Sequence, residues 1–310
     1  EVWAPRFRGQ GLHYAEVTGF PGVPTAANFA GLVVHTDLVP AGEFSTSNEL
    51  INRIYQNVRW STRMQQRGVP LDPDRDERQA WLGTSIKSSE SEAYQFSVAP
   101  FYRNFLAETR IDQRPDGNIS DGGSIWPFYT GDSIWPSVIT IVPEWYQDFY
   151  GDRRILEDNF ETMKRWMQFQ ERTNLGQDFT MARCFYGDWV DASSMDFPLG
   201  PKTSGATSRE LMGTAFFYRN CRVLERAARM LGRTADEKYY ASLAGKVGKA
   251  FHAKFFKPKT NKYESDTQCA YALALAFGLV PEEVRPAVIR NFVEDVMVKH
   301  HGHLSVGFVG

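Results

Sequence analysis

Cysteine and long apolar runs are both scarce in this 310-residue sequence. The three cysteines, Cys184, Cys221 and Cys269, are too few and too scattered for a disulfide framework or a tetrahedral metal site. Each is predicted to be a small, buried, apolar side chain. No window approaches the roughly 20 apolar residues that a membrane-spanning helix needs, so no membrane partner is predicted.

Strong charge of one sign is also missing. The formal net charge is -2 at pH 7, which gives no electrostatic reason to expect a nucleic acid as partner. The sequence contains neither common glycine-rich phosphate loop, and no serine has a nearby His/Asp arrangement that would activate it. His300, His301 and His303 cluster, but no second set of ligands accompanies them. Neither a cofactor nor a metal is predicted.

Apolar side chains recur at helical spacing over most of the chain after Thr46, which stands at capping-box spacing from Glu49. The predicted helices are 46–65, 85–108 with a kink at Pro100, 138–149, 153–171, 210–231, 236–251, 267–277 and 282–299. Before them, β-prone runs at 14–17 and 32–34 favour the end of a β domain.

The eight helices pair into four hairpins. Short turns at Gly151, Gly232 and Gly278 join helices within a pair, whereas long irregular stretches such as 112–129 and 175–207 lie between pairs. Short turns should therefore gather at one end of the molecule and long loops at the other. Four hairpins laid around an axis are too few to close a ring, so bare apolar helix faces are expected.

The stretch 69–83 crowds carboxylates and guanidiniums beside a tryptophan, an arrangement typical of a site with shifted pKa values. Cleavage of a glycosidic bond by two carboxyl groups needs one that is protonated and one that is ionised. Glu77 is the candidate proton donor: nearby aspartates would raise its pKa, whereas Arg75 and Arg78 would lower it. If the segment is already helical, Trp81 shares a face with Glu77.

Tryptophans and one acidic side chain mark the long loops. Trp126, Trp135 and Trp189 lie in or beside the irregular stretches, and Asp188 precedes the last of them. A single loop tryptophan is more often a packing anchor than a ligand contact. Three that converge on one end favour a sugar-binding surface, to which Asp188 is predicted to contribute.

Several short motifs follow one another along the chain. They are Gly11-Leu12-His13-Tyr14, Gly31-Leu32-Val33-Val34-His35, Gly42-Glu43-Phe44-Ser45-Thr46-Ser47, the stretch from Val69 to Trp81, Asp266-Thr267-Gln268, Leu279-Val280-Pro281, and Gly302-His303-Leu304-Ser305-Val306-Gly307-Phe308. In this order they resemble the α-L-rhamnosidases of glycoside hydrolase family 78. The resemblance implies a mainly α fold, an (α/α)6 barrel of the six-hairpin glycosidase type over 43–310. This barrel would contain its first four or so hairpins and be incomplete at the C-terminus. Residues 1–42 would be the end of a β-sandwich domain and a linker.

The resemblance implies inverting hydrolysis of terminal α-L-rhamnosides from plant or algal glycans or glycosides. Glu77 takes the position of the general acid, and Asp72 and Arg75 would bind the rhamnose ring and its hydroxyls. The family usually has one more residue between this aspartate and arginine. The family's general base is a glutamate in the last part of the barrel, after Gly310, so residues 1–310 alone are expected to be poorly active.

By the same resemblance, Trp81, Trp135 and Trp189 would form the apolar surround of the sugar's methyl group. Two usual acidic positions are replaced by hydroxyl residues, Thr84 and Ser137. These replacements affect which rhamnoside is expected to bind. One hypothesis is that the substrate is an unusual rhamnoside, such as part of an acidic polysaccharide.

The implied partner is a rhamnose-containing oligosaccharide or glycoside, together with the rest of the protein's own chain to close the barrel. The implied location is secreted or periplasmic. Two alternatives stay open: another six-hairpin glycosidase with a different sugar specificity, and a noncatalytic carbohydrate-binding relative.

Overall fold

The computed structural model describes residues 3–4, 14–72, 78–182, 184–191 and 206–310. Within these ranges the chain forms nine α-helices and two short antiparallel β-ribbons. The helices are α1 (Glu49–Gln65), α2 (Leu82–Gln95), α3 (Ala99–Asp112), α4 (Val138–Tyr150), α5 (Arg154–Thr173), α6 (Arg209–Met230), α7 (Thr234–Phe255), α8 (Gln268–Ala276) and α9 (Arg285–Glu294). Strand β1 (Gln66–Arg67) pairs with β2 (Val69–Pro70), and β3 (Phe256–Lys257) pairs with β4 (Lys262–Tyr263).

The predicted hairpin turns are confirmed. Gly151, Gly232 and Gly278 follow α4, α6 and α8 with φ of 63°, 70° and 69°, the left-handed conformation that ends a helix at low steric cost when the residue is glycine. Each turn returns the chain antiparallel to the preceding helix, so the next long loop starts at the opposite end.

The second predicted helix is in fact two helices, which corrects the expectation of one kinked helix over 85–108. Helix α2 ends at Gln95, and Phe96 is extended with φ of -139° and ψ of 154°. Pro100 lies in the first turn of α3 rather than inside a helix. Its missing N–H needs no intrahelical partner there, so proline starts a helix at this point instead of bending one.

A single apolar core runs between the helices, and the predicted stripe of α5 is confirmed. Ile155, Phe160, Met163, Trp166 and Met167 are all buried, as are the three cysteines, which are free thiols.

One inward residue of α7 was predicted wrongly. Tyr239 is 49% exposed, whereas Tyr240 is 1% exposed and begins the buried series that continues through Leu243, Val247 and Phe251. Only the first member of the predicted stripe changes, because position 240 shares a face with 243 and 247 at helical spacing.

The segment before α1 forms no regular strand among its described residues, and the prediction that the β-prone runs at 14–17 and 32–34 are the end of a β domain stays a prediction. A strand needs a partner for its backbone, and the side chains of 32–34 stay exposed. The segment instead contacts the helical body near its end, where Ala41 N–H donates to Gln95 O at 3.0 Å and Ser97 N–H donates to Val39 O at 2.8 Å.

Apolar side chains remain exposed on the first helix, as expected of an unclosed ring of hairpins. Leu50, Ile54 and Trp60 of α1 are 68%, 52% and 49% exposed, and Thr62 is the only buried residue that the helix contributes. After α9, Met297 is 62% exposed. No helix in the described part of the chain is long and apolar enough to cross a membrane.

Candidate active site

The charged stretch lies between β2 and α2 in the sequence, and the residues at its two described ends are anchored to each other and to a neighbouring loop. At its base, Asp72 N–H donates to Gln79 O at 2.8 Å. The side-chain amide of Gln79 donates to Gly122 O and to Trp126 O, both at 2.8 Å, and so ties the stretch to the loop before α4. Between these anchors, Arg75 and Glu77 lie outside the described residues.

Trp81 precedes helix α2 rather than lying within it. Arg78 has φ of 52°, and the helix begins only at Leu82, so the helical face that Glu77 and Trp81 were expected to share is not formed at 78–81. The helix does not extend back to these positions because Gln79 is paired with Asp72 in an antiparallel backbone bridge.

Four of the residues predicted from sequence meet at one cleft of about 420 Å³. Its described lining consists of Asp72, Trp81, Trp135, Tyr186, Trp189, Val190 and Phe308. A cleft of this size, walled by aromatic rings and containing one carboxylate, suits a single sugar ring whose apolar face lies against a side chain and whose hydroxyls bind the acid.

Tyr186, which the sequence reading missed, is the centre of the aromatic wall. Its ring stacks on Trp135 at 4.5 Å between centroids with an interplanar angle of 19°. Trp81 and Trp189 each meet it edge-on at 5.9 Å. Phe308 also contacts Trp135, with ring centroids 5.6 Å apart and an interplanar angle of 31°. Predicted residues from three separate segments are thus joined through one unpredicted ring.

The close approach of Trp135 to helix α2 depends on a glycine. A Cβ atom at Gly83 would lie 2.4 Å from Cε2 and 2.6 Å from Nε1 of the Trp135 indole, far inside contact distance. The glycine in the sequence Trp81-Leu82-Gly83 therefore lets the indole lie flat on the first turn of α2, next to Trp81.

Two fully buried carboxyl groups support this wall from behind. Asp132 accepts hydrogen bonds from the backbone N–H groups of Trp135 at 2.7 Å and Phe185 at 2.6 Å. Asp121 accepts from the Thr130 hydroxyl at 2.6 Å and from the Tyr186 hydroxyl at 3.3 Å. Burial raises the pKa of both groups, and burial followed by the charge of Asp132 raises the pKa of Asp121 to about 7.

Comparison with known proteins places the chain in a family. The model of the bacterial alpha-L-rhamnosidase six-hairpin glycosidase domain matches residues 40–310. The chain belongs to this family.

Curated relatives agree with the assignment. An alpha-L-rhamnosidase of Formosa agariphila is 30% identical over 99% of this chain and 33% of its own length. An alpha-L-rhamnosidase of Streptomyces avermitilis is 31% identical over 100% of this chain and 29% of its own length. The chain thus spans about a third of the length of these relatives.

Solved structures share the fold. The alpha-L-rhamnosidase from Dictyoglumus thermophilum superposes with a TM-score of 0.86 at 34% identity, covering 93% of this chain and 32% of that one. The Streptomyces avermitilis alpha-L-rhamnosidase complexed with L-rhamnose superposes with a TM-score of 0.85 at 30% identity, covering 94% of this chain and 27% of that one. The chain is therefore part of a six-hairpin glycosidase fold, as the sequence predicted.

Thr84, one of the two hydroxyl residues that the resemblance places at usually acidic positions, lies beside Asp72. Its hydroxyl is buried and donates to Asp72 Oδ2 at 2.7 Å. A threonine at this position fixes the direction of the Asp72 carboxylate without bringing a second negative charge next to it.

Ser137, the second of these hydroxyl residues, belongs to an uncharged network. Its hydroxyl donates to Ser133 O at 3.1 Å and accepts from the Asn220 side-chain amide at 2.9 Å, while Asn220 Oδ1 accepts from Thr140 at 2.7 Å. All three side chains are buried. The polar groups around Ser137 thus satisfy one another without a charged side chain.

Asp188 lies beside the cleft and is 1% exposed. Its Oδ2 accepts the Gly307 N–H at 2.8 Å, and its Oδ1 accepts those of Val309 and Gly310 at 3.0 Å. These bonds, with Phe308 N–H on Trp189 O at 2.8 Å, fix the segment that carries Phe308. Both carboxylate oxygens of Asp188 therefore have backbone partners, and its predicted contact with the sugar stays a prediction.

Proposed function

We propose that the chain is the sugar-binding and proton-donating part of an inverting α-L-rhamnosidase. The observation that carries the proposal is the aromatic cleft around Asp72, in a chain that belongs to the rhamnosidase family. L-Rhamnose carries a methyl group where most hexoses carry a hydroxymethyl group, and a cleft walled by Trp81, Trp135 and Tyr186 offers that methyl group an apolar surface.

The roles within the cleft follow the chemistry of glycosidic cleavage. Asp72, oriented by Thr84, is proposed to accept hydrogen bonds from ring hydroxyls, with Arg75 as their second partner. Glu77 is proposed to protonate the leaving oxygen as the bond between that oxygen and the anomeric carbon breaks. In the same step, water bonds to the anomeric carbon from the opposite face and gives its proton to a general base.

That base is proposed to lie outside residues 1–310, in a later part of the barrel. The relatives are about three times as long as this chain, which leaves room for the remaining hairpins. The proposed substrates are terminal α-L-rhamnosides of plant or algal glycans or glycosides, and the proposed location is secreted or periplasmic.

The test compares Glu77→Gln with Glu282→Gln in the full natural chain that contains this sequence. Glu282 is a matched control because its side chain is 82% exposed and far along the chain. On an aryl α-L-rhamnoside with a poor leaving group, Glu77→Gln should lower kcat by at least about 100-fold, the usual size of general acid catalysis, while rhamnose binding persists. Equal turnover of the two variants would contradict the assignment of Glu77.

The same protein and its Glu77→Gln variant also distinguish two alternative functions. A panel of aryl glycosides tests for another six-hairpin glycosidase, which would hydrolyse a different sugar faster than rhamnose. A noncatalytic carbohydrate-binding relative would bind rhamnose and turn over none of the panel, with or without Glu77. The replacements at Thr84 and Ser137 favour keeping both alternatives in the test.

A further inference from the structure

A buried carboxyl group lies behind the aromatic wall, out of reach of a sugar. The side chain of Asp121 is 0% exposed. Its Oδ2 accepts three hydrogen bonds, from Thr130 N–H at 2.9 Å, the Thr130 hydroxyl at 2.6 Å and the Tyr186 hydroxyl at 3.3 Å. Its Oδ1 is shielded from solvent and has no hydrogen-bond partner among the described residues. Burying such an oxygen is unfavourable, so the position requires an explanation.

Asp121 affects the shape of the cleft through its contact with the Tyr186 ring. The ring has Trp135 on its face and Trp81 and Trp189 at its edges, so any rotation of Tyr186 displaces three cleft residues. Its backbone neighbour Phe185 is fixed by the bond from its N–H to Asp132. The far end of the side chain is fixed by the bond from the Tyr186 hydroxyl to Asp121.

Asp121 is also joined to the start of helix α2. Its backbone oxygen accepts the Leu82 N–H at 2.9 Å, and its backbone N–H donates to Phe128 O at 2.6 Å. The residue therefore connects the helix that begins beside Trp81 with the loop that carries Trp135. A change at Asp121 reaches both sides of the cleft.

We propose that Asp121 is a positioning residue of the cleft: by accepting the Tyr186 hydroxyl, it holds the Tyr186 ring flat against Trp135 and so sets the width of the space that receives the sugar. The identity of that sugar rests on the function proposed above, whereas the packing of the ring does not.

The charge of Asp121 should change near neutral pH. The groups that face it are Asp132 from its own loop and Tyr186 from the loop before α6, while α2 contributes the Leu82 N–H to its backbone. Burial and Asp132 raise its pKa to about 7. The ionised form accepts all three donors, whereas the protonated form must also bury an O–H group. The Tyr186 ring should thus be held more firmly above pH 7 than below it.

The first test needs no sugar. The variants are Asp121→Asn and Tyr186→Phe, with Asp116→Asn and Tyr94→Phe as controls because both control side chains are exposed. In near-ultraviolet circular dichroism, the stacked Tyr186–Trp135 pair should give a signal that changes in one step near pH 7 in the wild type and both controls. Asp121→Asn should lack the step, and Tyr186→Phe should lack it too. A step that persists in both variants would overturn the proposal.

The second test measures kinetics in the full natural chain on an aryl α-L-rhamnoside. Loss of positioning should raise KM about tenfold in Asp121→Asn and Tyr186→Phe while kcat stays within about twofold, the pattern of lost ground-state binding. Equal falls of kcat and kcat/KM would place Asp121 in the chemistry and overturn the positioning role. If Asp121→Asn does not fold, Tyr186→Phe decides, because it keeps the carboxyl group and the ring.

The two tests separate this proposal from the proposed function. If the wild type hydrolyses no rhamnoside, the proposed function fails, and circular dichroism still decides whether Asp121 holds the ring. If hydrolysis is present but the dichroism step survives removal of the carboxyl group, the function stands and the positioning role fails.

Discussion

The two ends of the helical hairpins differ in what holds them together. At one end, Gly151 and Gly232 turn the chain with nothing within 4 Å of where a Cβ atom would lie. At the other end, Asp121, Asp132 and Asp188 are all buried and bonded to residues of other segments. A short turn needs only a favourable backbone conformation, whereas a long loop needs long-range contacts to keep its shape.

The comparison shows which end of the molecule needs energetically costly buried groups to hold its shape. Buried carboxyl groups are costly, yet the described ones at the loop end sit next to aromatic rings that line the cleft. At the glycine turns Gly151, Gly232 and Gly278, by contrast, nothing lies within 4 Å of where a Cβ atom would be. Substitutions at the loop end should therefore have large effects that depend on pH or sugar, and those at the turn end should have small and purely conformational effects.

The largest expected effect is a pH-dependent stability difference at Asp121. The folded protein keeps a proton on this group up to about pH 7, whereas the unfolded chain releases it near the ordinary value of 3.8. Stability from this group is therefore full below pH 3.8 and falls as pH rises to about 7. Urea unfolding of wild type and Asp121→Asn at pH 4.5 and 8 should show that the wild type alone loses this contribution, at most about 4 kcal/mol.

Other buried acids such as Glu92 also have a raised pKa, but they are common to both proteins and cancel in the difference. Parallel stability profiles for wild type and variant would show that Asp121 does not titrate in this range.

The next effect is expected at Asp188. Asp188→Ala removes the acceptor of three backbone N–H groups and should lower the free energy of unfolding by about 3 kcal/mol, with loss of the Phe308 contact to Trp135. Asp188→Asn keeps one acceptor oxygen and should therefore lose less of the free energy of unfolding than Asp188→Ala. Asp158→Ala is the control, since its side chain is 43% exposed in a weak pair with Arg103. Equal effects of the two alanine variants in urea unfolding would show that the backbone contacts do not stabilise the fold.

Gly83→Ala should destabilise by about 2 kcal/mol, because the new Cβ atom collides with the Trp135 indole, and it should weaken rhamnose binding as well. Gly245→Ala is the matched control: it lies inside α7 with no atom near its Cβ position and should stabilise by about 1 kcal/mol. Calorimetric titration with L-rhamnose and thermal unfolding measure the two effects. Unchanged rhamnose affinity in Gly83→Ala would separate Trp135 from sugar binding.

The smallest effect is expected at the turn end. Gly151→Ala places a Cβ atom in the left-handed conformation and should cost about 1 kcal/mol, with rhamnose affinity unchanged. The same thermal unfolding and titration experiments apply. Weaker sugar binding in this variant would break the contrast between the two ends.

Features that depend on local spacing could be predicted from the sequence. The buried stripe of α5 and the turns at Gly151, Gly232 and Gly278 follow from periodicity and glycine position alone. The motif order also predicted the family and the segment that supplies Asp72 and Trp81 to the cleft. The roles of Glu77 and Arg75 stay predictions.

Features that depend on distant partners could not be predicted in the same way. Tyr186 and Asp121 are 65 positions apart, and neither stands in a motif with a fixed meaning. Asp188 is adjacent in sequence to the cleft residue Trp189, but its hydrogen-bond partners lie 119 to 122 residues later in the chain and could not be predicted. The available signal was the aromatic density of Phe185-Tyr186-Gly187-Asp188-Trp189, which points to the right loop without assigning the side chains.

The stacked rings also have an optical consequence. Tyr186 lies 4.5 Å from Trp135, a separation at which an excited tyrosine passes its energy to the indole before it can emit. Light absorbed by Tyr186 should thus appear as tryptophan emission, and its yield should change when a ligand alters the spacing or solvent exposure of the rings. The cleft carries its own fluorescent reporter, and excitation at tyrosine and tryptophan wavelengths would follow occupancy without a label.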